Sequence, residues 1–446
     1  MIRALHAIMR TTVRHAWATR SIFWLMTAAL VPAILFPLII KGDGTPAGAQ
    51  VMLLTYAPIA LFAVLLIGSV WMGAYALAAE RLQLQLSMLK TKPISGLAIW
   101  LGKWLAVCAI NLSVLLCSGL VFAGMLQLRG VGVDTASRSF WQPHSPDEGA
   151  LLQQAEALWL RRRTEAAQAE EPQTVPPLQQ IVNRMRQQQY RVPPGGNVSW
   201  RIPLPPRLPE KGIWRLTYHW RLDPMRRAPV HGSWHLTDYA TGHPLATHPV
   251  TGLLDGNHTF AWGILQLPPE TRVLELRFQA SPENEPHIFF DSKAPISLQH
   301  QAGSRAENLL RAAGIAMIFG GALAAVALAL SACFSFPVAV FATHGIVLAL
   351  LVAAVAGQEG MELRHSHGHD HGHPDGWILT YTGHFLDSLH AHTHALRAAL
   401  PFRRLSESIQ ITFHEHAIPL FLLAICLPLL CAAIAHIKIK REEVTQ

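Results

Sequence analysis

Glu80-Arg81-Leu82-Gln83-Leu84-Gln85-Leu86-Ser87-Met88-Leu89-Lys90-Thr91-Lys92-Pro93-Ile94-Ser95 stands between two long apolar runs, and its reading decides the fold. The stretch predicts a short charged helix ended by a Lys-Pro-Ile-Ser turn. Proline lacks the N–H that a continuing helix needs and pushes the residue before it away from helical angles, so Lys92-Pro93 is a stop. Gly102-Lys103 follows within the next apolar run. A rigid helix and turn held between two membrane spans suits a partner that pushes on it from the cytoplasm.

The surroundings point to a bilayer. Hydrophobic residues make up 51% of the 446 residues and charged residues 14%, a balance unlike that of an ordinary soluble chain. A span needs about 20 apolar residues. Six runs meet that length, near 22–40, 51–78, 100–126, 312–332, 337–356 and 417–435. Lysine and arginine mark the cytoplasmic side. Arg3, Arg10, Arg14 and Arg20 precede the first run, Arg81, Lys90 and Lys92 follow the second, and Lys438, Lys440 and Arg441 follow the last. If six spans alternate, these groups share one side and both termini are cytoplasmic. The net charge of +8 then reads as membrane orientation and calls for no nucleic-acid partner. Within residues 1–20, Ile2, Leu5, Met9, Val13 and Trp17 recur at helical spacing, read as opposite the arginines, which predicts an amphipathic helix on the inner membrane surface.

The expected fold is therefore an α-helical polytopic membrane protein with six transmembrane helices and an inserted extracytoplasmic domain. Residues 1–20 form the interface helix. Residues 21–126 hold spans one to three with a coupling helix at 79–96. Residues 127–307 form the outer domain, 308–356 hold spans four and five, 357–416 form a second outer segment, and 417–446 hold span six and the tail. All five cysteines, Cys108, Cys117, Cys333, Cys426 and Cys431, fall in or beside spans, so no disulfide staples either outer region. The domain opens on a linker and is helical over 145–190, with Leu151, Ala155, Leu158 and Trp159 on one face and a proline-rich break at 172–177. Over 195–300 the period changes to two. Trp214, Leu216, Tyr218, Trp220 and Leu222 alternate with polar residues, as do Phe260, Trp262 and Ile264, and Leu274, Leu276 and Phe278. Half-buried antiparallel strands with turns between them predict a β-sandwich. It would bind a ligand or an accessory protein outside the membrane.

The segment before the last span is rich in histidine. His365, His367, His369, His371 and His373 are spaced by Gly, Ser and Asp, and His390 and His394 would share one helix face. Neutral imidazole ligates zinc, copper and nickel, so this segment could hold one of them. No cofactor is firmly implied. Catalytic motifs fail: His414-Glu415-His416 would need a further His at Ile418 for a zinc-protease helix, and no stretch has the spacing of a phosphate-binding loop. The chain is expected not to be an enzyme. His344 stands alone inside the fifth run, a poor basis for an ion path.

The opening stretch resembles the segment after the second membrane helix of ABC-2 type transporter permeases. There a Glu-Arg pair precedes a leucine-rich helix, then Pro-hydrophobic-Ser and Gly-Lys. Glu80, Arg81, Leu86, Leu89, Pro93, Ile94, Ser95, Gly102 and Lys103 stand in the matching places. The resemblance implies ATPase coupling at these residues, with ATP hydrolysed on a separate ABC ATPase subunit. It also implies a second permease subunit, identical or related, and a bacterial cytoplasmic (inner) membrane as the location. Two alternatives stand beside it: a membrane-anchored metal-binding or metal-delivery protein that uses the His-rich segment, and an ABC subunit that transmits ATPase motion without transport.

Overall fold

The computed structural model describes residues 2–40, 46–82, 94–130, 138–168, 176, 178–206, 208, 211–222, 228–290, 296–349, 400–401, 404–405, 409–413 and 417–444. The chain divides into two compact units, residues 1–137 with 304–446, and residues 138–303.

In the first unit, α1 (Ile2–Ala18) ends at a corner where Arg20 takes a left-handed backbone (φ 58°), and α2 (Ser21–Ile39) starts at once. Next come α3 (Pro46–Leu82) and α4 (Gly96–Leu128). Arg129 donates to the Leu38 carbonyl (2.7 Å), giving a cation to the C-terminal end of α2, as the helix dipole favours. Among the described residues, five helices are long and apolar enough to cross a membrane: Ser21–Ile39, Met52–Glu80, Gly96–Leu128, Ala306–Cys333 and Ala417–Lys438. The expected fifth run is described as a shorter apolar helix, Phe336–Ala349, and its remainder to residue 356 lies outside the described residues.

The second unit is β-rich. Strand β1 (Arg138–His144) leads to α5 (Gly149–Gln168) and α6 (Leu178–Gln189), which bury Leu151, Ala155, Ile181 and Val182 between them. Glu148 joins the pair by accepting from the Arg186 guanidinium at 2.5 and 3.0 Å. Nine strands follow: β2 (Arg191–Val192), β3 (Asn197–Pro203), β4 (Lys211–Leu222), β5 (Val230–Asp238), β6 (Pro244–Leu253), β7 (Gly256–Gln266), β8 (Val273–Ala280), β9 (Ile288–Phe290) and β10 (Ser297–Ser304). They form one sheet in the order β1-β10-β4-β9-β2, with β7 also paired to β4, and a second in the order β3-β8-β5-β6. Both sheets send side chains into one core. Trp200, Trp214, Tyr218, Trp220, Trp234, Phe278 and Phe290 are buried there, with ring pairs such as Trp234–Phe278 and Trp200–Phe290 at 4.9 and 5.1 Å. Contacts of this kind add about 0.5–1.5 kcal/mol each beyond the area they bury. The five cysteines are all free and all belong to the first unit.

Two expectations are corrected. The start of the domain is a strand, β1, where a linker was expected. The alternation at Phe260, Trp262 and Ile264 also breaks. Trp214 faces Gly263 and Arg215 faces Ala261, which leaves Trp262 as a surplus residue in a bulge. Gly263 takes φ 81°, a conformation that costs glycine little. A one-residue slip exchanges the faces of a strand, so beyond the bulge Ile264 is 70% exposed and Leu265 is buried.

The chain returns to the first unit at α7 (Arg305–Cys333), whose N-cap Ser304 accepts from the Glu307 amide (3.2 Å). Helix α8 (Phe336–Ala349) follows. Residues 409–411 are strapped to α7: Asn308 donates to the Ile409 carbonyl (3.1 Å) and accepts from the Ile411 amide (2.6 Å), and Arg311 donates to the Ile411 carbonyl (2.8 Å). The last helix begins as α9 (Ala417–Phe421), passes through one π turn (Leu422–Cys426) and ends as α10 (Leu427–Val444). Pro428, just past the π turn, offers no N–H and crowds the carbonyl four residues back, which is a local cause for that turn.

One end of the sandwich core holds a polar pair. His144 Nε2 and His300 Nδ1 share a hydrogen bond of 2.8 Å, stacked beside Trp214. Burial pushes the His144 imidazole from 6.5 down to about 4. A base depressed in this way contributes fully above pH 6.5, and its contribution is lost as pH falls toward 4. We expect the melting temperature of the intact chain in detergent to fall over that interval by an amount equivalent to at most about 3 kcal/mol. The slope should flatten in His144→Phe. Melts recorded by tryptophan fluorescence from pH 7 to 4 check this, and an unchanged slope in the variant would refute it.

Candidate functional site

Helices α3 and α4 flank the segment at 83–93, which lies outside the described residues and contains Leu86, Leu89 and Pro93. The Arg81 side chain also lies outside them. What is described is the pair of ends to which the segment is attached. On the exit side, Ile94 packs against the bundle core and Ser95 caps α4, its Oγ accepting from the Ala98 amide at 3.3 Å. A serine cap fixes where a helix starts, and Ser→Ala at such a position typically costs about 1 kcal/mol.

Deeper in, Lys103 on α4 meets Glu80 on α3. Lys103 Nζ lies 2.6 Å from Glu80 Oε1 and donates to the Ala76 carbonyl at 2.7 Å. The Lys103 side chain is 0% exposed and that of Glu80 14%. Side chains on a helix lean toward its N-terminus. Lys103 therefore reaches back toward the start of α4, and Glu80 leans into α3. An unpaired ammonium here would be prohibitive to bury, whereas the pair with a carbonyl as third partner is tolerable. Glu80 Oε2 is buried with no hydrogen-bond partner among the described residues.

Next to Lys103, Gly102 marks the crossing with α1. A Cβ at Gly102 would stand 2.9 Å from Ile8 Cγ2 and 3.4 Å from the Leu5 carbonyl oxygen. The face of α1 turned to the bundle is Ile8, Thr12 and Ala16. The apolar row read from the sequence lies beside this face, with Ile2 and Trp17 81% and 74% exposed, and the close approach to α4 uses small and β-branched residues. Of the nine expected coupling residues, the structure brings Glu80 and Lys103 together, sets Gly102 against α1 and places Ser95 and Ile94 at the start of α4.

Farther along the same helices lies a polar contact that the sequence reading passed over. Asn111 on α4 is fully buried and donates to Ser69 Oγ on α3 (2.8 Å), which in turn bonds the Leu65 carbonyl (2.6 Å). Gly320 on α7 leaves room for that hydroxyl, since a Cβ there would come within 2.9 Å of it. Trp104 on α4 donates to the Gly321 carbonyl (2.8 Å). An Asn inside an apolar run was the available signal, because polar side chains in spans tie helices together.

The histidines proposed as metal ligands, His365, His367, His369, His371, His373, His390 and His394, lie outside the described residues. Among the described residues no group of three His, Cys, Asp or Glu side chains is placed to hold a metal. No protein family, curated protein or solved structure matches this chain.

Two outcomes are expected. Lys103→Met strands the Glu80 carboxylate and should destabilise the chain by about 3 kcal/mol, with Glu80→Gln restoring most of the loss in the double variant. Additive losses in the melting midpoints would contradict the pairing. Gly102→Val should force α1 away from α4, costing about 1–3 kcal/mol and opening Arg10 and Arg14 to trypsin. Unchanged digestion would contradict the crossing.

Proposed function

We propose that this chain is the membrane-spanning permease subunit of an ATP-driven, ABC-2-like transporter in a bacterial cytoplasmic membrane, with six spans and both termini inside. The supporting observation is the buried Glu80–Lys103 pair, which joins the two helices that are linked in sequence by residues 83–93. Force applied to that segment passes into α3 and α4 together, as a coupling element requires. The chain carries no phosphate-binding loop, so energy comes from a separate ABC ATPase subunit docked at 79–96. A second permease subunit, identical or related, completes the assembly. The outer domain, held by its aromatic core, serves an extracytoplasmic ligand or accessory protein.

The test is co-purification from membranes in mild detergent. An ATP-binding subunit should accompany the unaltered chain, and its yield should fall at least tenfold with Glu80→Ala combined with Pro93→Ala, while membrane insertion persists. A chain that carries no ATPase but retains bound zinc or copper would replace this reading with metal delivery by the His-rich segment.

A further inference from the structure

We infer that α1 presents a binding face for the phosphate headgroups of acidic phospholipids. Arg3, Arg10 and Arg14 fall within about 20° of one line on a 3.6-residue helix. All three are exposed, and none has an acidic partner among the described residues. The buried stripe Ile8, Thr12 and Ala16 lies roughly half a turn away, so the guanidinium line faces directly away from α4. About a quarter turn to one side run Ile2, Met9 and Val13, and Trp17 stands between that row and the arginines.

Each sector of the helix therefore has a different environment. One side packs on protein at Gly102, the adjoining apolar row suits acyl chains, and the arginine line lies at headgroup depth, pointing outward to the surrounding lipid. Phe23 and Trp24, at the start of α2, are 62% and 67% exposed and continue the aromatic band expected at an interface. The helix contains no acid that could satisfy or repel a phosphate. Guanidinium pairs with phosphate oxygens in a bidentate manner, and arginine on a lipid-facing line is favoured over a membrane with negative surface charge. Because Ile8 touches the crossing beside Lys103, a headgroup held by α1 would steady the helix that abuts the Glu80–Lys103 pair.

This inference rests on the membrane-spanning reading, and alkaline extraction of membranes separates the two. A chain released by carbonate overturns both, whereas a retained chain leaves the lipid question to the next measurement. The full chain is purified in detergent and titrated with phosphatidylglycerol or phosphatidylcholine of the same acyl length, with bound lipids counted by native mass spectrometry. Phosphatidylglycerol should bind more tightly, and its advantage should shrink with added salt. The advantage should fall about fivefold for each arginine removed in the series Arg3→Gln, Arg10→Gln and Arg14→Gln. The control Arg161→Gln/Arg162→Gln/Arg163→Gln should leave it unchanged. Equal binding of the two lipids overturns the proposal, as does an advantage that survives the α1 series or disappears in the control. The salt dependence of the unaltered chain decides the matter if a variant fails to fold.

Discussion

A lysine fully buried between helices imposes more on this chain than any other single residue. Lys103 must find compensation within reach of its ammonium, and the available groups are the Glu80 carboxylate and the Ala76 carbonyl. Satisfying both fixes the axial position of α3 against α4, because a slide of one residue, about 1.5 Å, would break at least one contact. Gly102 then brings α1 close at the same level. Three helices are thus registered within one turn of α4, near the end of α3 and the start of α4.

The two units solve the problem of cohesion differently. In the helical unit, glycines let backbones approach. A Cβ at Gly73 would lie 2.7 Å from the Ala324 carbonyl oxygen, and one at Gly68 would overlap Leu25. Buried polar groups such as Asn111 and Ser69 supply direction where an apolar solvent gives little drive for association. The sandwich has no disulfide and relies on large aromatic residues from both sheets, packed at offset and edge-on angles. Its indole N–H groups are not uniformly satisfied: Trp220 reaches the Leu254 carbonyl at 2.9 Å, while that of Trp214 is buried with no hydrogen-bond partner among the described residues.

Much of this was readable from residue pattern. Trp214 to Leu222 and Leu274 to Phe278 alternate in the sequence and are buried as the alternation requires. The apolar runs likewise appear as long helices, although α4 continues to Leu128 and α7 begins at Arg305. The misreadings have physical causes. Strand β1 carries Pro143 and buries Phe140 without a run of alternating apolar residues, so it resembles a linker until β10 pairs with it. The protein-facing side of α1 was not legible at all, because Thr12 and Ala16 are weak hydrophobic signals, yet small side chains let α1 approach closely. Glu80 and Lys103 were both legible as motif residues. Their contact was not, because it depends on how two helices pack and not on the composition of either.

The surplus residue at Trp262 has a consequence beyond re-aiming Ile264. Strand β7 pairs with β4 and is an outer edge of its sheet among the described residues. A straight edge offers a ladder of unpaired amides and carbonyls on which a strand from another molecule can polymerise. A bulged and more strongly twisted edge presents no continuous ladder for such growth. The irregularity at Trp262 and Gly263 thereby guards against aggregation in a domain that has no covalent cross-link to hold its edges in place.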